Sequence, residues 1–203
     1  MKYYLLTISL SFFLISCTQE STKLNLESIE EPSSIISSYN NEKSIDLDDY
    51  PILKQANDYL NQRDFKKMLE KLDEAERNYG RMRYIYNERG LCLAQLGIYE
   101  EALTCFDSII INDENAFSAY ANRAQVYYRL YKPDLAIADQ NKAIEIDPSN
   151  SAIYFNKGLA LLYKQERDEA CINFNKALEL GYAEDYSTEI YTVLENECKN
   201  KLK

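Results

Sequence analysis

The chain has no histidine and no tryptophan, and only five glycines and four prolines in 203 residues. Without histidine, the commonest general base is missing, along with the Ser–His and Cys–His nucleophile pairs and most zinc chemistry. No nucleophile elbow, phosphate-cradling loop or recognisable carboxylate pair takes its place, and no spacing argues for a metal site of Asp and Glu alone. The reading is a non-enzyme with no cofactor, no metal ion and no small-molecule substrate. Scarce Gly and Pro disfavour strands with tight turns and favour long helices with brief connections. Positive charge is short as well: 23 Lys and Arg face 33 Asp and Glu, for a net charge of −10. A binder of nucleic-acid backbone needs the opposite surplus, so no nucleic acid is expected. A basic or neutral partner is easier to accommodate, although acidity also serves plain solubility.

What is present begins with MKYYLLTISLSFFLISC at residues 1–17. Lys2 supplies a short positive start, and residues 3–15 are largely apolar. That run is shorter than the roughly 20 residues a membrane-spanning helix needs, and it has the flanks of a secretory signal peptide. Its end, Leu14-Ile15-Ser16-Cys17, resembles the lipobox of bacterial lipoproteins. The resemblance implies cleavage after residue 16, with Cys17 as the lipidated residue and membrane anchor. Multiple acyl chains hold a protein stably where one does not. Thr18 in place of Asp after the cysteine favours, by resemblance to the enteric sorting rule, an outer-membrane location in the bacterial cell envelope. Residues 17–48 are rich in Ser, Glu and Asn without sustained periodicity and read as a lipid-anchored flexible tether.

From residue 49 onward the sequence repeats itself every 34 residues, in copies at 49–82, 83–116, 117–150 and 151–184. Within a copy, position 4 holds Ile52, Tyr86, Tyr120 and Tyr154; position 8 holds Ala56, Gly90, Ala124 and Gly158; position 11 holds Tyr59, Leu93, Tyr127 and Leu161. At about 100° per residue these share one face of a helix. Positions 20, 24 and 27 share a face of a second helix: Met68, Leu72 and Ala75 in the first copy, Ala170, Phe174 and Ala177 in the fourth. Small residues at 8 and 20 permit close approach, and large ones at 4, 11 and 24 fill the surrounding space. Pro133 suits the first turn of a second helix, and Asp147-Pro148 stops one.

This pattern resembles the tetratricopeptide repeat, most closely in Lys142-Ala143-Ile144-Glu145-Ile146-Asp147-Pro148. Met68, Gln140, Glu114 and Tyr182 depart from the family's usual residues. The resemblance implies an all-α fold: an α-solenoid of about four helical hairpins, with residues 185–203 as a capping helix. In the family, positions 2, 5, 6, 9 and 13 of each first helix line a concave groove. Here these include Asn57 and Asn61; Tyr84, Asn87, Glu88, Leu91 and Gln95; Asn122, Gln125 and Arg129; and Phe155, Asn156 and Tyr163. Amides and aromatics suit an extended peptide's backbone and side chains. The candidate peptide-binding set is Asn57, Asn61, Tyr84, Asn87, Gln95, Asn122, Gln125, Arg129, Phe155, Asn156 and Tyr163. For any one of them a passive, solvated role competes. The family's two-carboxylate clamp would need Lys, Asn, Asn, Lys and Arg where this chain has Asn87, Leu91, Asn122, Ala152 and Asn156, so an acidic C-terminus is not the expected ligand.

Cys92, Cys105, Cys171 and Cys198 lack CxxC spacing and read as small buried apolar fillers; export would permit disulfides, and pairing is left open. The expected function is an envelope scaffold or adaptor holding a partner protein or extended peptide near the membrane. The alternative is a glycan or peptidoglycan binder that uses its tyrosines as stacking platforms.

Overall fold

The computed structural model describes residues 45–185 and 188–198; the expected signal peptide, Cys17 and the tether up to residue 44 lie outside them. Eight α-helices form four antiparallel hairpins: α1 (Pro51–Asn61) with α2 (Phe65–Tyr79), α3 (Arg83–Gln95) with α4 (Tyr99–Asn112), α5 (Phe117–Arg129) with α6 (Pro133–Ile146), and α7 (Ser151–Tyr163) with α8 (Arg167–Glu179). Each second helix also packs on the first helix of the next hairpin, so the array is continuous. The second helices begin at Phe65, Tyr99, Pro133 and Arg167, in step with the sequence period. No strand occurs among the described residues.

Every first helix ends in the same turn. Its fifteenth position is left-handed in all four repeats: Arg63 (φ 55), Gly97 (φ 75), Tyr131 (φ 57) and Gln165 (φ 64). The next N–H then reaches back five residues, from Asp64 to Tyr59, Ile98 to Leu93, Lys132 to Tyr127 and Glu166 to Leu161, each at 2.9 Å. That bond satisfies a carbonyl the helix end would leave orphaned. Three of the four positions accept the steric cost of a side chain at positive φ, so hairpin geometry overrides local preference. Pro133 stands in the first turn of α6, and Asp147 follows its last residue, where the sequence places the stop.

The core is segmented along the stack. One cluster joins Leu53, Ala56, Met68, Leu72, Ala75, Ile85 and Cys92. A second centres on Phe106, Ile109 and Val126, and a third runs from Phe117 through Phe155 and Phe174 to Val193. Position 8 and position 24 compensate each other in volume. A Cβ on Gly90 would lie 2.7 Å from the Phe106 ring, and one on Gly158 would lie 2.5 Å from the Phe174 ring. Where position 8 is Ala56 or Ala124, position 24 is Leu72 or Gln140 instead. The departures at Met68 and Gln140 therefore belong to repeats that lack the aromatic. Gln140 is 2% exposed, and its Oε1 has no hydrogen-bond partner among the described residues.

Arginines at position 7 pin neighbouring hairpins. Arg89 joins Glu76 at 2.7 Å and Asp73 at 2.8 Å on the preceding second helix. Arg123 grips Asp139 with two bonds of 2.8 and 2.7 Å within its own hairpin and reaches back to Asp107 at 2.6 Å. Its guanidinium also lies over the rings of Tyr120 and Tyr127. Burial still pushes the Asp139 carboxyl upward in spite of that grip.

The ends of the array differ from expectation. Ile45 and Leu47, at the end of the expected tether, pack against the first core cluster, and Leu47–Asp49 forms a 3-10 turn. The described part of the cap is α9 (Tyr182–Asp185) and α10 (Glu189–Val193), which runs on into a π turn, Leu194–Cys198. Tyr182, Ile190 and Val193 are buried against the last hairpin. The pairing left open is settled for two of the four helical cysteines, and their reading as apolar fillers is corrected: Cys171 of α8 and Cys198 form a disulfide. The π turn packs on α8, which brings Cys198 to Cys171. Cys92 and Cys105 are free and buried.

Candidate functional site

The core-facing positions 4, 8 and 11 of each first helix turn toward its second helix. Positions 2, 6, 9 and 13 lie on the opposite side by the 100° step. Adjacent first helices meet on that inner side, where Asn122 of α5 donates from Nδ2 to Asn87 Oδ1 of α3 at 2.9 Å. Asn87 in turn donates from its own Nδ2 to Glu88 Oε1 at 3.2 Å. Asn87, Glu88 and Asn122 are all buried, at 6%, 6% and 2% exposure. Asn122 Oδ1 and Gln125 Nε2 are also buried, and neither has a hydrogen-bond partner among the described residues. An acceptor and a donor left open on one helix face are the complement of a peptide unit.

Electrostatics single out Glu88. Burial raises its carboxyl to about 7, and the bond from Asn87 opposes this only in part. Burial, with Glu88 as a second cause, also raises Tyr84 above the usual phenol range and Cys92 to about 12. The Cys92 thiol donates to the Phe65 carbonyl at 3.1 Å and is not a poised nucleophile. Among the described residues no group of three His, Cys, Asp or Glu is placed to hold a metal.

The candidate residues separate into groups. Asn87 and Asn122 form the buried ladder, and Gln125 lies one turn beyond Asn122 on α5. Asn156 is buried at the equivalent position of α7. Tyr84, Gln95, Arg129 and Asn57 are half-buried, and Asn61 is exposed at the end of α1. Phe155 is in the core, 1% exposed, stacked on Tyr182 at 4.2 Å and tilted against Phe174 at 5.5 Å. Position 5 is buried in all four repeats, as Leu53, Asn87, Ala121 and Phe155. It sits at the side of the helix, where the neighbouring hairpin covers it. Tyr163 is 43% exposed beside Tyr131 at the hairpin-turn edge, with ring centroids 5.7 Å apart. Glu88 is the residue the candidate set omits. Its signal in the sequence is an acid in a row whose later members are Asn122 and Asn156.

Two family models described as tetratricopeptide repeat match residues 53–117 and residues 117–150 and 151–180. Protein SGT1 homolog of Oryza sativa subsp. japonica is 40% identical over 83 residues, 41% of this chain and 22% of that protein. Hsp70-Hsp90 organizing protein 3 of Arabidopsis thaliana is 32% identical over 81 residues, 40% of this chain and 14% of its own length. The chain therefore spans only a small part of these curated relatives. MamA 41-end from Desulfovibrio magneticus RS-1 matches with a TM-score of 0.60 at 19% identity, covering 75% of this chain and 96% of that one, a likeness of fold alone. The first TPR of Spaghetti (RPAP3), solved bound to the HSP90 peptide SRMEEVD, matches with a TM-score of 0.52 at 27% identity, covering 56% of this chain and 87% of that one. Continuous matches from residue 53 to residue 180, over four stacked hairpins, establish that this chain belongs to the tetratricopeptide repeat family.

Proposed function

We propose that this protein is a non-enzymatic scaffold of the bacterial cell envelope, anchored through lipid on Cys17, that holds an extended segment of a partner protein against the inner face of its stack. Tetratricopeptide stacks are protein–protein interaction modules, and the similar Spaghetti domain holds an HSP90 peptide. The observation that carries the reading is the buried amide ladder, with an acceptor on Asn122 and a donor on Gln125 left open. The acidic peptide of that neighbour is not carried over. A carboxylate clamp needs cations where this chain has Asn87, Ala152 and Asn156, and Glu88 stands among them. The envelope setting draws support from the lipobox-like Leu14–Cys17 and, independently, from the Cys171–Cys198 disulfide, a bond of oxidising compartments.

The test has two parts. Metabolic labelling with an alkynyl fatty acid should mark the wild-type chain in the membrane fraction and not Cys17→Ser. Crosslinking in intact cells should then recover a partner protein with the wild type and not with Asn122→Ala plus Gln125→Ala. Labelling of Cys17→Ser as strong as that of the wild type would refute the anchor, and equal partner recovery by the wild type and the Asn122→Ala, Gln125→Ala double variant would refute the site. The exposed pair Tyr131 and Tyr163 favours glycan binding as a second reading, and retention on protease-treated sacculi would support it.

A further inference from the structure

Position 6 of the first helix is Asn122 in the third repeat and Asn156 in the fourth, but Glu88 in the second. An amide at this depth is easily satisfied. A carboxylate there is expensive unless a cation or several donors face it. Glu88 is 6% exposed and has one hydrogen bond among the described residues, from Asn87. The cations nearest in sequence are engaged elsewhere: Arg89 grips Glu76 and Asp73 on α2, Arg83 pairs with Asp113 and Arg81 with Glu76; Lys54, at the same position one repeat earlier, is paired with Asp48. The other titratable groups that sense Glu88, Tyr84 and Cys92, are neutral at ordinary pH. A chain selected for stability alone would carry Gln or Asn here, as its own later repeats do. An ionisable group held at a folding cost, on the face that meets ligand, points to use in binding.

The ladder has a direction. Asn122 donates to Asn87 and Asn87 donates to Glu88, so each amide turns an N–H toward the carboxyl. What remains open is the Asn122 oxygen and, three residues along α5, the Gln125 Nε2. Both atoms are shut off from solvent, so an extended peptide reaches them with its N–H and C=O only by displacing the side chains that cover them, on the face where α3 carries Glu88. We propose that the inner face selects an extended peptide segment carrying a basic side chain, Lys or Arg, whose cation seats on Glu88 while its backbone bonds to Asn122 and Gln125. This rests on the groove reading above and adds the chemistry of the ligand.

The test uses the full chain in detergent at pH 8 and a positional-scanning library of acetylated, amidated ten-residue peptides. Wild type should prefer Lys or Arg over Glu or norleucine at one position by roughly tenfold or more, the effect of a charge-assisted bond. Glu88→Gln keeps an oxygen to accept from Asn87, so it folds, which circular dichroism checks. It should retain peptides with the basic preference reduced to about threefold or less. Peptides retained without a basic preference, or with one unchanged in Glu88→Gln, overturn this inference and leave the groove reading standing. No peptide retained by either protein overturns both.

Discussion

Single side chains in this molecule are read by asking what each would prefer and what holds it otherwise. Glu88 would prefer water. Buried with one donor, it keeps its proton up to about 7, whereas the ordinary value is 4.5. A folded-state value above the unfolded one means that the native state binds more protons. Stability is therefore highest below pH 4.5 as far as this group is concerned, and falls as pH rises through 7. The full loss amounts to roughly 3 kcal/mol above that range, at about 1.4 kcal/mol per unit. Tyr84 and Cys92, the titratable neighbours, stay neutral throughout, since both are shifted upward. Denaturant melts of wild type and Glu88→Gln across pH 4 to 9 should converge at the acid end, draw apart between about pH 4.5 and 7 and stay apart above that, with the variant the more stable. Asp139 is pushed in the same direction but is common to both proteins, so the difference isolates Glu88. Curves that run parallel at every pH would show that the carboxyl is not desolvated.

At the scale of the hairpin, what decides the packing is a sum of two side chains rather than either alone. Gly158 faces Phe174 so closely that a Cβ would sit 2.5 Å from the ring, while Ala56 accepts Leu72. Gly158→Ala gains up to about 1 kcal/mol of helix propensity but overpacks the contact by about 1–3 kcal/mol, for a net loss. Phe174→Leu alone leaves a cavity. Together they recreate the pairing of the first repeat, so thermal unfolding should show the double variant more stable than the sum of the singles, by about 1 kcal/mol. Strict additivity would mean the ring moves aside freely. Much of this was legible beforehand, because side chains repeating every 34 residues mark the helix faces and Asp147-Pro148 marks a stop. Two things were not. Position 5 lies at the flank of its helix, so burial of Phe155 depends on how closely the next element, through Tyr182, approaches. The depth of Glu88 likewise depends on the approach of α3 to α5, which a helical wheel does not contain.

Across the array, the main contacts of each hairpin among the described residues are with its neighbours, and stability is close to a chain of local terms. Such a stack is weakest where it has one neighbour. At the N-terminal end, Ile45 and Leu47 cover the first cluster; at the other, Tyr182, Ile190 and Val193 cover the last, in segments too short to be stable helices alone. The Cys171–Cys198 disulfide supplies what those segments lack, closing a loop with a sequence separation of 27. This pairing escapes a reading of spacing alone, because it depends on how the cap lies against α8. Chain entropy puts the stabilisation at about 3.5 kcal/mol. Because coupling is between neighbours, the effect should be local. Hydrogen exchange of Cys198→Ser should show lost protection in α8, α10 and the π turn, a smaller loss in α7, and unchanged protection in α1 to α4. The same gradient should appear when the wild type is reduced. Uniform loss along the chain would instead mean that the four hairpins unfold as one cooperative body, and that the nearest-neighbour account of this stack is wrong.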